Sequence, residues 1–499
     1  MAAVGLVTAG CAPTGTTHTP TPTPVGRPDW AVLAARLTGS LARAGDADYD
    51  AVRVTENPRW DDAKPLAVLT AASARDVAAG LAFAAKYGLP LALRSGGHSY
   101  PGYSAGGAAG TGVKPSLVID SRGMSEVTLA ADNAVRIGAG ASLAQVYDAI
   151  GARGRAIAGG SCATVGIAGL TLGGGVGVLV RAYGLTCDSL TEVEIVTADA
   201  RVVTANATNE PDLFWACRGG GGGHLGVVIA LTFETTPAPD VTMFSLGWPF
   251  GSAAAVIAAW QAWAPSADPR LWSTLKLLNG PGYSSGPGVF VSGTWLGDEG
   301  AIDAQLAPFL AAAGAPRKRG VSRHDYRDAM ARYAGCADIP VAACQTGAGG
   351  KLTRESFSAT SHVAYSPLDA DGIRAITDHV SAAKAIPGMT EGGISIDALG
   401  GVVGDVSPGA TAFPHREALA TVQYTATFPN GSDPAPLDAY VRGFRAALTD
   451  AWGEGAYVNY SDASLADPAT SYFGDNAARL AKIRGHYDPK GLFTQPQAY

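Results

Sequence analysis

The stretch Arg94-Ser95-Gly96-Gly97-His98-Ser99-Tyr100-Pro101-Gly102-Tyr103-Ser104 constrains this chain more than any other. It follows a strand-like run, Leu89-Pro90-Leu91-Ala92-Leu93. A strand that ends in Ser-Gly-Gly lets backbone N–H groups point into one small space, with no side chains in the way. Such a nest suits a phosphate. One histidine stands directly after the glycines, so its ring lies near whatever the loop holds. A second stretch, Gly159 to Gly177, is also glycine-dense and apolar and carries Cys162 early on. The pair predicts two backbone-lined segments sharing one ligand, with His98 and Cys162 beside it.

The chain has 499 residues, enough for two or three domains. Apolar residues make up 47%, which excludes a disordered chain. The 65 glycines are about twice the usual share and follow no short repeat, so tight turns and close backbone approaches are implied. The net charge of −7, with no long Lys/Arg run, gives nucleic-acid binding no electrostatic support. No apolar run is long enough for a transmembrane helix. Met1 to Gly10 is short, apolar and uncharged, and Thr8-Ala9-Gly10-Cys11 reads as a lipoprotein cleavage box followed by a Thr/Pro tether. The expectation is a secreted or cell-envelope lipoprotein with a lipid anchor at Cys11; the alternative is an ordinary N-terminus on a cytoplasmic protein. Cys336 and Cys344 are the only close cysteines, and their separation suits a small local disulfide. No His/Cys cluster stands near them, so no metal site is expected.

Helices are predicted over Trp30–Leu41, Asp76–Tyr87 (capped by Ser73, ended by Gly88) and Ser142–Ile150. Strands are predicted at 68–70, 89–93, 116–120, 135–140, 191–197, 201–204 and 227–233. No Gly-x-Gly-x-x-Gly follows the first strand, which argues against an ordinary dinucleotide fold. Beyond Pro237-Ala238-Pro239, strand candidates at 243–248, 271–278 and 289–294 mix with Ala-rich helices at 253–263, 301–313 and 371–384. That mixture predicts an antiparallel sheet with helices on one face. Helices at 437–452 and 475–487 close the chain.

Four blocks in order carry a resemblance: the Arg94–Ser104 loop, Gly160–Leu190, Thr411-Ala412-Phe413-Pro414-His415-Arg416, and Tyr457–Asp462 with Tyr487-Asp488-Pro489. Through them the chain resembles the FAD-linked oxidases of the berberine-bridge-enzyme-like group, within the vanillyl-alcohol-oxidase superfamily, over residues 45 to 499. The resemblance implies an α+β fold. A two-part PCMH-type FAD-binding domain, with N- and C-terminal segments, would flank a central α+β substrate domain on an antiparallel sheet. The implied division is a signal remnant and tether at 1–28, FAD binding at 29–238, substrate binding at 239–436, and a C-terminal segment at 437–499. It also implies FAD attached twice, through His98 at the 8α carbon and Cys162 at C6. By matching, Arg94, Ser95, Gly96, Gly97 and Ser99 face the pyrophosphate. Gly160, Ser161, Val165, Gly166, Gly169, Gly173 and Gly177 pass close to the isoalloxazine and ribityl chain, and Val227 or Val228 sits on the adenine side. Val165 matches a position lining oxygen's approach, where Val accompanies oxidase activity. His224 stands where the family often has Asn and receives no role.

Alcohol oxidation needs a base within hydrogen-bond reach of the hydroxyl while a hydride leaves its carbon. Tyr460 matches the family's tyrosine base, and nearby cations or donors would have to lower its pKa. Asp405 falls where some members carry a catalytic Glu. Asp397 and Tyr457 are further candidates for the pocket; His415 and Arg416 read as structural. The resemblance implies an oxidase passing a hydride from a secondary alcohol or hemiacetal of a sugar or glycosylated metabolite to flavin N5, with O₂ reduced to H₂O₂. The alternatives are a flavin dehydrogenase or oxidative cyclase on an alkaloid or polyketide scaffold, and a catalytically dead carbohydrate-binding lipoprotein.

Overall fold

The computed structural model describes residues 26–131 and 133–499. Cys11 and most of the Thr/Pro tether lie outside the described residues. The opening α/β unit holds a four-stranded sheet in the order Ser40–Ala42, Ala67–Thr70, Leu117–Asp120, Leu91–Arg94. Its last three strands run parallel, and the helix Ala74–Tyr87 packs on it through Val77, Leu81 and Ala84. Ser73 caps that helix at the Asp76 amide, and Gly88 ends it at φ +62°. A five-stranded antiparallel sheet follows, with Val227–Glu234 at its centre between Ala134–Gly138 and Leu190–Val196.

The helix expected over 30–41 ends instead at Ala34, and Ser40–Ala42 is a strand. The cause is the Asp76 carboxylate. It accepts hydrogen bonds from the Thr38 and Gly39 amides and from the Thr38 hydroxyl, which pulls the chain out of the helix. A Cβ on Gly39 would lie 2.0 Å from the Thr70 carbonyl oxygen, so the strand pairs at a distance only glycine permits.

A seven-stranded antiparallel sheet spans residues 241 to 428. Its order is Lys318–His324, Val241–Trp248, Gly288–Trp295, Leu271–Asn279, Glu391–Ala398, Ala420–Phe428, Ser356–Ala364. Side chains alternate across it. One face carries Leu275, Leu277, Ile394, Ile396, Val422 and Tyr424, all buried. The helices Ala253–Trp263 and Ala435–Trp452 cover that face: the Trp260 indole donates to Ser273 at 3.0 Å, and Tyr424 meets the Phe444 ring at 4.9 Å. The other face carries Trp272, Thr274 and Lys276 of one strand beside Ser395 and Asp397 of the next. Cys336 and Cys344 form a disulfide that packs on Ala163. No helix among the described residues is long and apolar enough to cross a membrane.

His415 and Arg416 are structural. His415 bonds Tyr365 and the Tyr472 carbonyl. The Arg416 guanidinium is fully buried and grips both oxygens of Asp188, at 2.8 and 2.7 Å, and the Thr411 hydroxyl. Removing one partner of a buried ion pair leaves an uncompensated charge, at a cost of about 3–5 kcal/mol. Arg416→Met is expected to lose stability of that order in urea unfolding. A loss below about 1 kcal/mol would show the pair to be dispensable.

Candidate active site

The His98 loop is fixed by Arg94, which ties both its ends. The Arg94 guanidinium is buried and donates to the carbonyls of Val52, Arg53 and Ser104, with Asp120 at 3.5 Å. Arg94 therefore works through its side chain as an anchor behind the loop. The Ser95 hydroxyl donates to the Ala139 carbonyl, and Gly97 turns at φ +79°. The amides of Gly96, Gly97, His98 and Ser99 have no acceptor among the described residues. Four such N–H groups on consecutive residues that line one cavity offer the anion nest expected of the loop.

The Cys162 segment lies against this loop. Val165 and Ala163 accept from the amides of Leu143 and Ala144 at 3.0 Å, stitching the segment to the helix Leu143–Gly151. His98 Nε2 pairs with the Thr164 hydroxyl at 2.8 Å and lies 3.9 Å from Glu56 Oε2. Burial lowers the His98 pKa to about 4 and holds the ring neutral. Burial also raises the Glu56 carboxyl, to which Thr346 donates. Cys162 is a free cysteine whose surface opens to the cavity, and desolvation raises its thiol.

Both segments line one cavity of about 550 Å³. It contains Ser95, Gly96, Gly97, Ser99, Gly160, Ser161, Val165, Gly166, Gly169, Gly177, Val227 and Val228, each predicted from the sequence. Gly173 is the exception. A Cβ there would strike Asn459 Oδ1 at 2.1 Å, so this glycine serves packing on the C-terminal turn rather than contact with a ligand. At Gly169 a Cβ would meet nothing within 4 Å; its missing side chain leaves room in the cavity.

The four candidate catalytic residues separate clearly. Tyr460 and Asp397 line the cavity with His98 and Cys162. Tyr460 stacks on Tyr100 at 5.8 Å, and its pKa is pushed well above 10 by burial and then by Asp397. The lowering that a tyrosinate base needs is therefore not supplied by its protein neighbours. Asp397 is raised from the ordinary aspartate value by burial, with Lys276 opposing. Tyr457 touches the cavity, but its hydroxyl accepts from the amides of Gly175 and Val176 and from Asn459, at 2.9, 3.2 and 2.8 Å. It holds the glycine segment in place. Asp405 lies exposed in the turn Gly401–Asp405 and is absent from the cavity wall, whereas the strand Glu391–Ala398 places Asp397 on it.

Sequence reading passed over several wall residues: Tyr100, Trp272, Lys276, Gln423, and the tail at 495–497. The alternation Thr274-Leu275-Lys276-Leu277 held the signal for Lys276, since it puts the lysine opposite two core leucines. Gln423 and the tail reach the site only through long-range packing.

Residues 65–206 match the FAD binding domain family, and residues 456–498 match the berberine and berberine-like family. The FAD-linked oxidoreductase YvdP of Bacillus subtilis is 31% identical over 93% of this chain and 98% of its own length. The chain belongs to the berberine-bridge-enzyme-like FAD-linked oxidoreductases. The chitooligosaccharide oxidase of Gibberella zeae is 29% identical over 87% of each chain. Among solved structures, Physcomitrella patens BBE-like 1 superposes with a TM-score of 0.84 at 27% identity, covering 94% of this chain and 98% of its own. As a member of this family the protein is an FAD-linked oxidoreductase with the expected α+β fold. The cavity fits FAD on its own terms. Four unpartnered loop amides offer a diphosphate site, glycine backbone leaves a flat slot, and a neutral imidazole and a free thiol share its wall.

The hydrogen bonds to Tyr457 give a test of its role. Tyr457→Phe would strand two buried amides, at about 1–3 kcal/mol for each donor left without a partner. The expected result is a lowered denaturation midpoint with the pH dependence of turnover unmoved. A shifted pH profile at unchanged stability would return Tyr457 to the chemistry.

Proposed function

We propose that this protein is an oxidase acting on the CH–OH of a secondary alcohol or hemiacetal in a sugar or glycosylated metabolite. FAD, when bound, supplies the two-electron acceptor and passes the electrons on to O₂, giving H₂O₂. We further propose that His98 and Cys162 both attach to it. His98 suits this because its ring is held neutral and Nε2 is engaged by Thr164, which leaves Nδ1 with no partner among the described residues. Two anchors on one edge would fix the pose of the ring system against the substrate wall.

The observation that carries the reading is that Asp397 and Tyr460 line the same cavity as His98 and Cys162. The chain's own task is to hold the sugar and take the hydroxyl proton. Tyr460 would receive that proton as it gives up its own to Asp397, directly or through one water. In such a relay the tyrosinate never accumulates, so the raised pKa of Tyr460 is no obstacle. The raised carboxyl of Asp397 makes it a better proton acceptor than an exposed aspartate. The substrate face of the sheet presents Thr274, Ser292, Ser395 and Gln423, which suit a polyhydroxylated substrate better than an apolar alkaloid or polyketide scaffold. The names of the relatives from Gibberella zeae and Thermothelomyces thermophilus, a chitooligosaccharide and a xylooligosaccharide oxidase, support the same class. Val165 on the wall supports O₂ as the acceptor. The Cys336–Cys344 disulfide supports export, and a lipid anchor at Cys11 belongs to that proposal. So does the division into 29–238, 239–436 and 437–499.

The test is oxygen uptake with coupled peroxide detection on oligosaccharides. Stoichiometric H₂O₂ is expected. Asp397→Asn and Tyr460→Phe should each lower kcat by about 10²–10⁴. Because Asp397 must be ionised to accept a proton, wild-type kcat should fall as pH drops through a value above the ordinary aspartate range. Asp397→Asn turning over within a few-fold of wild type would sink the relay.

A further inference from the structure

Lys276 is the cation of the substrate wall. It stands on the strand Leu271–Asn279 between Leu275 and Leu277, whose buried side chains face the covering helices. Its own side chain therefore points to the opposite face, and it lines the cavity there with Cys162 and Asp397. Among the described residues it makes no hydrogen bond or ion pair, and more than a third of its surface is accessible. Its charge acts on both Cys162 and Asp397. Neither neutralises it by contact: Cys162 is a raised thiol, and Asp397 is a raised carboxyl outside ion-pair distance. Register pairs Lys276 with Ser395 and Thr274 with Asp397, so Lys276 and Asp397 are diagonal neighbours on one face. That geometry puts the two residues about 7–8 Å apart. Trp272 stands two positions further along the same face, beyond Thr274, and also lines the cavity.

We infer that Lys276 is a carboxylate-recognising subsite, and that the preferred substrate is an acidic saccharide carrying its carboxylate about one sugar ring from the reacting hydroxyl. The inference rests on the oxidase reading and deepens it. A wall built for neutral sugars needs hydroxyl partners, which Thr274, Ser292, Ser395 and Gln423 supply. Lys276 adds to them a positive charge that no side chain among the described residues pairs, and hydroxyl groups alone do not match it. A single cation matches a monoanion; a phosphate dianion would call for more positive charge. The location beside Asp397 makes the subsite a device for register: the anion sits on Lys276, and the opposite end of the ring faces Asp397 and Tyr460.

The experiment compares kcat/KM for cellobiose and cellobiouronate, which differ only in a terminal CH₂OH or carboxylate, at low and high NaCl. Wild type is expected to favour the acid at least tenfold at low salt, with the preference shrinking in high salt. Lys276→Met should bring the ratio near one, and Lys276→Arg should keep most of it. No preference in wild type, or an unchanged ratio in Lys276→Met, would overturn the subsite. Calorimetric binding of methyl β-glucuronide and methyl β-glucoside to the wild-type holoenzyme gives a readout independent of turnover and of any variant's folding. At least tenfold tighter binding of the glucuronide is expected, and equal binding overturns the inference. If neither disaccharide is oxidised while the glucuronide still binds tighter, the oxidase reading fails and the subsite stands.

Discussion

The structure depends on one backbone contact. A Cβ on Gly96 would lie 2.2 Å from the Gly166 nitrogen, and a Cβ on Gly166 would lie the same distance from the Gly96 nitrogen. The His98 loop and the Cys162 segment therefore touch main chain to main chain, which only glycine allows at both positions. From that contact follows the rest of the local geometry. His98 reaches the Thr164 hydroxyl, Cys162 comes to the same cavity, and four consecutive loop amides are left without partners among the described residues.

Two further pieces complete the cavity, and each is held by specific bonds. The turn Val458–Tyr460 is joined to the glycine segment by the Tyr457 hydroxyl and by Asn459, which donates to the Leu170 carbonyl. It is joined to the large sheet by the Ser361 hydroxyl, which donates to the Tyr460 carbonyl and accepts from the Tyr457 amide. The sheet is tied in turn to the segment after the glycines by Arg181, buried, whose guanidinium reaches the carbonyls of Leu271, Ala267 and Leu399. Residues near 98, 162, 276, 397 and 460 thus meet although they are far apart in the chain. The site's polar face is a product of sheet register and its cofactor slot a product of glycine packing.

What could be read in advance divides along the same line. Ser73, Gly88 and Ser142 announced their helix ends because capping is local chemistry. His98, Cys162 and the glycines around them were legible because Gly-Gly-His and the glycine run carry their geometry in adjacent residues. The helix past Ala34 was misread because Asp76, far along the chain, draws Thr38 and Gly39 out of it. The strands Ser356–Ala364, Glu391–Ala398 and Ala420–Phe428 were not anticipated: Gly392 and Gly393 interrupt one, and small polar residues blur the alternation of the other two. The resemblance offered both Asp405 and Asp397, and only the register of the strand Glu391–Ala398 separates a wall residue from an exposed one. Tyr457 and Tyr460 are three residues apart and chemically identical, and the amides of Gly175 and Val176 decide which hydroxyl is taken.

We propose that His98 and Cys162 hold one FAD between them. The most direct measurement expresses residues from Arg27 onward, denatures the protein in acid, and follows the flavin absorbance in pellet and supernatant. Wild type, His98→Ala, Cys162→Ala and the double variant are run side by side. Flavin kept in the pellet by wild type and by each single variant, and released only by the double variant, is the predicted result. Flavin released from wild type, or retained by the double variant, would contradict it.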